Sequence, residues 1–105
     1  MPAELASQIS GKSKGMILDI SANGCRVAVS TQLEEGEEIK VSFTIHNRSV
    51  NPSAVVRWIV THSHVCFVGL EFQGMSDSTR EFLWAISAVA MMDAAEISKM
   101  KEALK

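Results

Sequence analysis

At 105 residues, 47% of them apolar, the chain is long enough for one domain that buries roughly two-thirds of its unfolded surface, which excludes wholesale disorder. A formal charge of −2 and only six aromatic residues (two Trp, four Phe, no Tyr) exclude a general nucleic-acid binder, whose mark is a basic stripe. No basic-led apolar start reads as a signal peptide, and the longest apolar run, Phe82 to Met92, is too short for a bilayer. Cys25 and Cys66, both in strand-like segments, imply no disulfide framework, so a cytoplasmic protein with reduced thiols is expected.

In chain order, a weak strand around Leu5 to Ile9 opens the sheet. Residues 15 to 21 form the next, with Met16, Leu18 and Ile20 on one face and Ile17, Asp19 and Ser21 on the other. Asn23-Gly24 tolerates positive φ and marks a tight turn. Cys25, Val27 and Val29 then alternate with Arg26, Ala28 and Ser30. Glu34 to Glu38 is predicted as a solvated acidic turn. From there the chain enters its cleanest strand, with Ile39, Val41, Phe43 and Ile45 against Lys40, Ser42, Thr44 and His46.

Asn47 to Ser53 reads as a loop punctuated by Pro52. Val55 to Val60 and Val65 to Phe72 are two further strands, joined by a hairpin at Thr61 to His64. Val56, Trp58 and Val60, or Cys66, Val68, Leu70 and Phe72, are assigned to the interior. Val55, Ile59, Val65 and Phe67 then point outward and need a cover. Such short strands between turn signals predict a closed or nearly closed antiparallel barrel spanning about residues 5–73.

After Gly74 the period changes from two to 3.6. Ser78 with Glu81 three residues on predicts a capping box and a helix from about 78 to 104, starting near Thr79. Its first half is apolar nearly all round, and its second half is amphipathic through Ile97, Met100 and Leu104. One face is expected to cover the barrel's bare outer surface. The other is expected to drive self-association or to dock a partner protein.

The most informative segment is Asp19-Ile20-Ser21-Ala22-Asn23-Gly24. It sets a carboxylate and a hydroxyl two residues apart at a strand end, beside a glycine that lets a ligand approach the backbone. This segment resembles the Asp-x-Ser-x-x-Gly signature of the PilZ domain family, matched at Asp19, Ser21 and Gly24. The likeness extends over roughly residues 14 to 88, through the Gly-led strand Gly36 to Ile45, the Val-x-Trp strand at Val56 to Trp58, the Val-Gly-Leu-Glu-Phe strand at Val68 to Phe72, and the helix.

The resemblance implies an all-β fold with a C-terminal helix, a six-stranded antiparallel barrel in one domain over 1–105. It also implies a role in bacterial cyclic di-GMP signalling. In members that bind the dinucleotide, the Asp and Ser of this signature read guanine, and an Arg-x-x-x-Arg pair well upstream clamps phosphate and guanine edges. No arginine precedes Arg26 here. Loss of two charged contacts at about 1.5–3 kcal/mol each weakens binding by roughly two to four decades. Lys12 and Lys14 offer charge nearby, but lysine lacks the planar fork that grips two acceptors at once.

The ligand residues expected on the resemblance are therefore Asp19, Ser21 and Gly24, with Lys12 and Lys14 as substitutes for the missing clamp. Asp19 and Ser21 also suit a purely structural role as stabilisers of the turn. Arg57 reads as a surface cation with a packed stem. His62, His64 and Cys66 alternate along one strand, yet only three candidate ligands are present and no metal is expected. No catalytic triad, carboxylate pair or phosphate-cradling loop is visible, so neither enzyme activity nor a cofactor is expected.

The expectation is an adaptor module working through protein contacts, with weak or no dinucleotide binding. The alternative is a receptor in which cyclic di-GMP bridges Asp19 and Ser21 to a basic segment, either Lys12 and Lys14 or sequence upstream of Met1. A barrel that binds oligosaccharide or single-stranded nucleic acid is disfavoured by the acidic balance and the few exposed aromatics expected.

Overall fold

The computed structural model describes residues 1–90. Seven strands precede one helix: β1 (Pro2–Ser7), β2 (Gly11–Ile20), β3 (Gly24–Val29), β4 (Glu38–Ile45), β5 (Arg48–Val50), β6 (Ser53–His62), β7 (Val65–Gln73) and α1 (Asp77–Ala90). Six strands run in the order β1-β2-β3-β7-β6-β4, every pair antiparallel. Pairing of Leu5 on β1 with Val41 on β4 closes the ring. The expected six-stranded barrel is present, and closure leaves no open edge in the ring.

β5 stands outside this ring, paired only to β4. The residues at their junction, His46 and Asn47, have φ of 50° and 62° and join the paired Ile45 and Arg48. Positive φ at both positions of a two-residue loop is the pattern of a type I′ hairpin, which asparagine tolerates well. The predicted loop over Asn47 to Ser53 thus contains a short strand, Arg48–Val50, and its last residue, Ser53, already begins β6. The first strand also differs, running from Pro2 rather than from Leu5.

Alternation fills the interior as expected on β3, β4 and β7. Val27, Val41 and Val68 are wholly buried, with Val56 of β6 and Leu5 of β1 beside them. Two β-bulges break the alternation elsewhere. On β2, Ile17 pairs with Val27 and Asp19 with Arg26, which leaves Leu18 as the extra residue. On β6, Val56 pairs with Leu70 and Trp58 with Gly69, which leaves Arg57 extra.

Each bulge resets the in–out parity of its strand. Val56 stays inside, but Trp58 and Val60 emerge on the outer surface, 41% and 58% exposed, while Ile59 turns toward the core. This corrects the interior assignment of Trp58 and Val60 and the outward one of Ile59. On β2, Ile17 is buried while Met16 and Leu18 are exposed.

The helix begins earlier than its capping box suggests. The Ser76 hydroxyl accepts from the Thr79 amide at 3.3 Å and the Ser76 carbonyl from the Arg80 amide at 3.0 Å, so Ser76, not Ser78, is the N-cap. α1 is held against β5, where the Arg48 guanidinium lies 4.5 Å from the Phe82 ring centroid. Leu83 is wholly buried in the barrel's core cluster, and Phe82 and Met75 pack against it. The helix therefore delivers a plug into the interior; Val65, one of the residues it was expected to cover, remains 37% exposed. The predicted run to residue 104 lies outside the described residues.

Candidate functional site

Asp19, Ser21 and Gly24 sit together at the β2–β3 turn. The Leu18 bulge turns Asp19 outward beside Arg26 on β3. There the Arg26 Nε donates to Asp19 Oδ2 at 2.6 Å, and Nη2 donates to the same oxygen. These hydrogen bonds outweigh the opposing effect of burial and, helped by the guanidinium's charge, hold the Asp19 carboxyl below the usual range. Asp19 is thus a committed carboxylate.

Ser21 is committed as well. Its hydroxyl accepts from the amides of Asn23 and Gly24 at 3.2 and 3.3 Å, and its own amide donates to the Gly24 carbonyl at 2.8 Å. This is a side chain tying its own turn.

Gly24 is needed for a reason other than the predicted one. Neither Asn23 nor Gly24 has positive φ. A Cβ at Gly24 would instead lie 2.0 Å from the Leu70 carbonyl oxygen, so the glycine is demanded by the closeness of β7. The space read as room for a ligand is filled by the protein's own backbone.

Beside this turn a groove of about 760 Å³ opens along the barrel wall, bounded by Asp19, Arg26, Arg57, Trp58, Glu71 and, from α1, Trp84. Arg57 Nε donates to Glu71 Oε2 at 2.5 Å, a second ion pair beside the first. The two guanidiniums are thus matched by two carboxylates. The Trp58 indole lies over Gly69, where a Cβ would fall 2.1 Å from Nε1. Cys25 lines the groove but offers no nucleophile, since burial, with the nearby Asp19 charge, pushes its thiol up to about 12.

Lys12 and Lys14 do not line this groove. They lie farther along β2, opposite Ala6 and Glu4, and Lys14 is about 17 Å from Asp19 at the usual rise of a strand. Of the five expected ligand residues, three are brought together and two stand apart. His62 and His64 are exposed at the β6–β7 hairpin whereas Cys66 points inward, its thiol 3.4 Å from Gln32 Oε1. Among the described residues no group of three His, Cys, Asp or Glu side chains is placed to hold a metal.

Sequence reasoning missed Arg26, Glu71 and Trp84 as parts of the groove. Arg26 carried a usable signal: a hairpin turning at Ala22 and Asn23 sets Asp19 opposite Arg26, seven residues on. The Glu71 partnership depends on the Arg57 bulge, which no side-chain pattern announces.

The other carboxylate of interest was read as solvated and is not. Glu37 is only 4% exposed; it accepts from the Ser7 hydroxyl and, at 3.0 Å, from the Glu34 amide. Burial alone would raise its pKa. Hydrogen bonds from Ser7, Ser10 and the Glu34 backbone outweigh that, and the net shift is downward.

The described residues thus form a closed barrel plugged by a helix, with an Asp-x-Ser-x-x-Gly turn at the mouth of a groove. The family model of the PilZ domain matches residues 4–88, most of the chain. The chain belongs to the PilZ domain family. The family is one of cyclic di-GMP signalling modules, binding and adaptor domains rather than enzymes, whose members bind the dinucleotide and often partner proteins. No curated protein matches the chain. Among the described residues no helix is long and apolar enough to cross a membrane.

Proposed function

We propose that this chain is a cytoplasmic adaptor-type module of cyclic di-GMP signalling that binds the dinucleotide weakly or not at all and acts through protein contacts. The observation that carries this reading is the Arg26–Asp19 ion pair. The carboxylate that the family signature turns toward guanine already accepts twice from the protein's own guanidinium. A dinucleotide must displace that pair before it can use Asp19, and Ser21 is engaged in its turn. The groove's two arginines are balanced by Asp19 and Glu71, so they present little net attraction to a dianion. Lys12 and Lys14 lie too far along β2 to replace a clamp.

Isothermal titration with cyclic di-GMP tests this. Little or no heat is expected at micromolar protein. A tight, stoichiometric signal abolished by Asp19→Ala would overturn the reading.

The receptor reading has one observation in its favour: Arg26 and Arg57 share a groove with the indoles of Trp58 and Trp84, groups able to grip phosphate and stack on bases. It predicts that Arg26→Ala and Arg57→Ala each abolish a measurable signal. Under the adaptor reading those substitutions leave the titration flat, or Arg26→Ala strengthens it by freeing Asp19. The apolar helix surface is proposed to promote self-association or partner docking.

A further inference from the structure

The outer face of the barrel formed by β2, β3, β7 and β6 is apolar to a degree unusual for a wet surface. Seven large hydrophobic residues are exposed among the described residues, and five of them, Met16, Leu18, Trp58, Val60 and Val65, lie on this one face. The strand register makes the patch continuous. Met16 pairs with Ala28, Ala28 with Phe67, and Phe67 with Val60, so a row of four outward apolar side chains crosses all four strands. Single exposed apolar residues need no explanation, whereas a contiguous row bordered by charges marks an interaction surface.

We propose that this sheet face is the docking surface for a second copy of the same chain. The proposal deepens the protein-contact reading above by naming the surface and its occupant. The argument rests on self-complementarity, which an isologous dimer requires. A two-fold axis lying between two facing sheets and along their strands exchanges β3 with β7 and β2 with β6. The bulky Phe67 of one copy then faces the small Ala28 of the other, and Met16 faces Val60, so large side chains meet small ones across the row.

The charges at the border obey the same exchange. The β2–β3 side carries Asp19 and Arg26, and the β7–β6 side carries Glu71 and Arg57. The rotation sets Asp19 opposite Trp58 and Arg26 opposite Gly69 of the second copy, beside that copy's Arg57–Glu71 pair, so each end of the border meets charges of both signs. A face of one sign would repel itself, and this one does not.

Size sets the strength. Four strands about 4.8 Å apart, with three outward rows along them, give a footprint of about 400 Å² per copy, near half of the ~800 Å² typical of a stable partner surface. The dimer is therefore concentration-dependent, with dissociation expected at roughly 10–100 µM.

Sedimentation equilibrium on the full chain is the test, with Val60→Glu and Met16→Glu measured alongside. The wild type is expected to move from 11.4 kDa toward twice that mass as concentration rises. Each variant, altering an exposed side chain, is expected to keep its thermal midpoint and weaken association at least about tenfold by burying an unpaired carboxylate. Three outcomes overturn the proposal. One is a wild type that stays monomeric throughout. Another is association unchanged by both variants, which places self-association elsewhere and leaves the adaptor reading standing. The last is a monomer whose thermal midpoint drops in both variants, which shows that the chain covers this face itself. None of these depends on the dinucleotide titration, which judges the adaptor reading separately.

Discussion

Two acidic turns border the barrel, and they invert the roles their compositions suggest. The β2–β3 turn holds the family signature, yet its Asp19 is half exposed and pairs with a neighbouring arginine. The segment before β4 looks like ordinary solvated acid, yet its Glu37 is buried and ties three parts of the fold together. Its carboxylate receives Ser7, whose hydroxyl also accepts from the Ile9 and Ser10 amides and so organises the β1–β2 turn. Its backbone runs beside β6, with the Gly36 amide donating to the Val56 carbonyl at 2.7 Å. A chemically suggestive carboxylate and a structurally decisive one are therefore different residues, and burial distinguishes them.

The largest expected effect belongs to the signature turn but to none of its polar groups. Gly24→Ala places a methyl 2.0 Å from the Leu70 carbonyl oxygen, and no side chain is available to give way. β3 and β7 must separate where Gly24 meets Glu71 and Cys25 meets Leu70. A loss of about 3 kcal/mol is expected, which lowers the thermal midpoint by more than about 10 °C. A midpoint within about 2 °C of wild type would show that the strands yield freely, and the contrast between the two turns would weaken.

Glu37→Ala comes next. It strips the acceptor from the Ser7 hydroxyl and the Glu34 amide in a buried site, with an expected loss of about 2 kcal/mol by denaturant unfolding. The same group predicts a pH signature. A carboxylate whose folded pKa lies below its unfolded one contributes stability that is present above the unfolded value and disappears as the pH falls through the folded one. Wild-type stability should therefore hold at neutral pH and decline below the ordinary glutamate value of 4.5. Glu37→Gln should start lower and show a shallower acid limb. An acid limb identical to wild type would assign the acid sensitivity to other carboxylates.

The sequence revealed the barrel because its core strands keep strict alternation: Ile39, Val41 and Phe43 on β4, and Cys66, Val68 and Leu70 on β7, all point inward. It failed where one inserted residue shifts that period. A bulge at Leu18 or Arg57 leaves the local composition unchanged, so nothing in the pattern reveals that Trp58 and Val60 have moved outside. The groove was half legible for the same reason. Asp19, Ser21 and Gly24 were found through their spacing, whereas Arg57, Glu71 and Trp58 meet only because the bulge aims them. Glu37 stayed hidden because one buried acid among four glutamates looks like its neighbours until the β1–β2 turn is folded onto it.

The smallest expected effect is at the residue that first drew notice. Asp19→Ala removes an exposed ion pair whose two side chains are 48% and 59% accessible, and such pairs contribute less than about 1 kcal/mol because water screens them. The Asp19 pKa is lowered chiefly by its hydrogen bond to Arg26, so the small contribution it makes is lost as the pH falls below the ordinary aspartate value of 3.8, with little change near neutrality. The expected signature is a thermal midpoint close to wild type at pH 7 and a Glu37-dependent acid limb that survives the substitution. A large fall in stability at pH 7 would mean that the Arg26–Asp19 pair holds the turn itself. Asp19 would then be fixed as a structural carboxylate, and the difference between the exposed acid and the buried one would vanish.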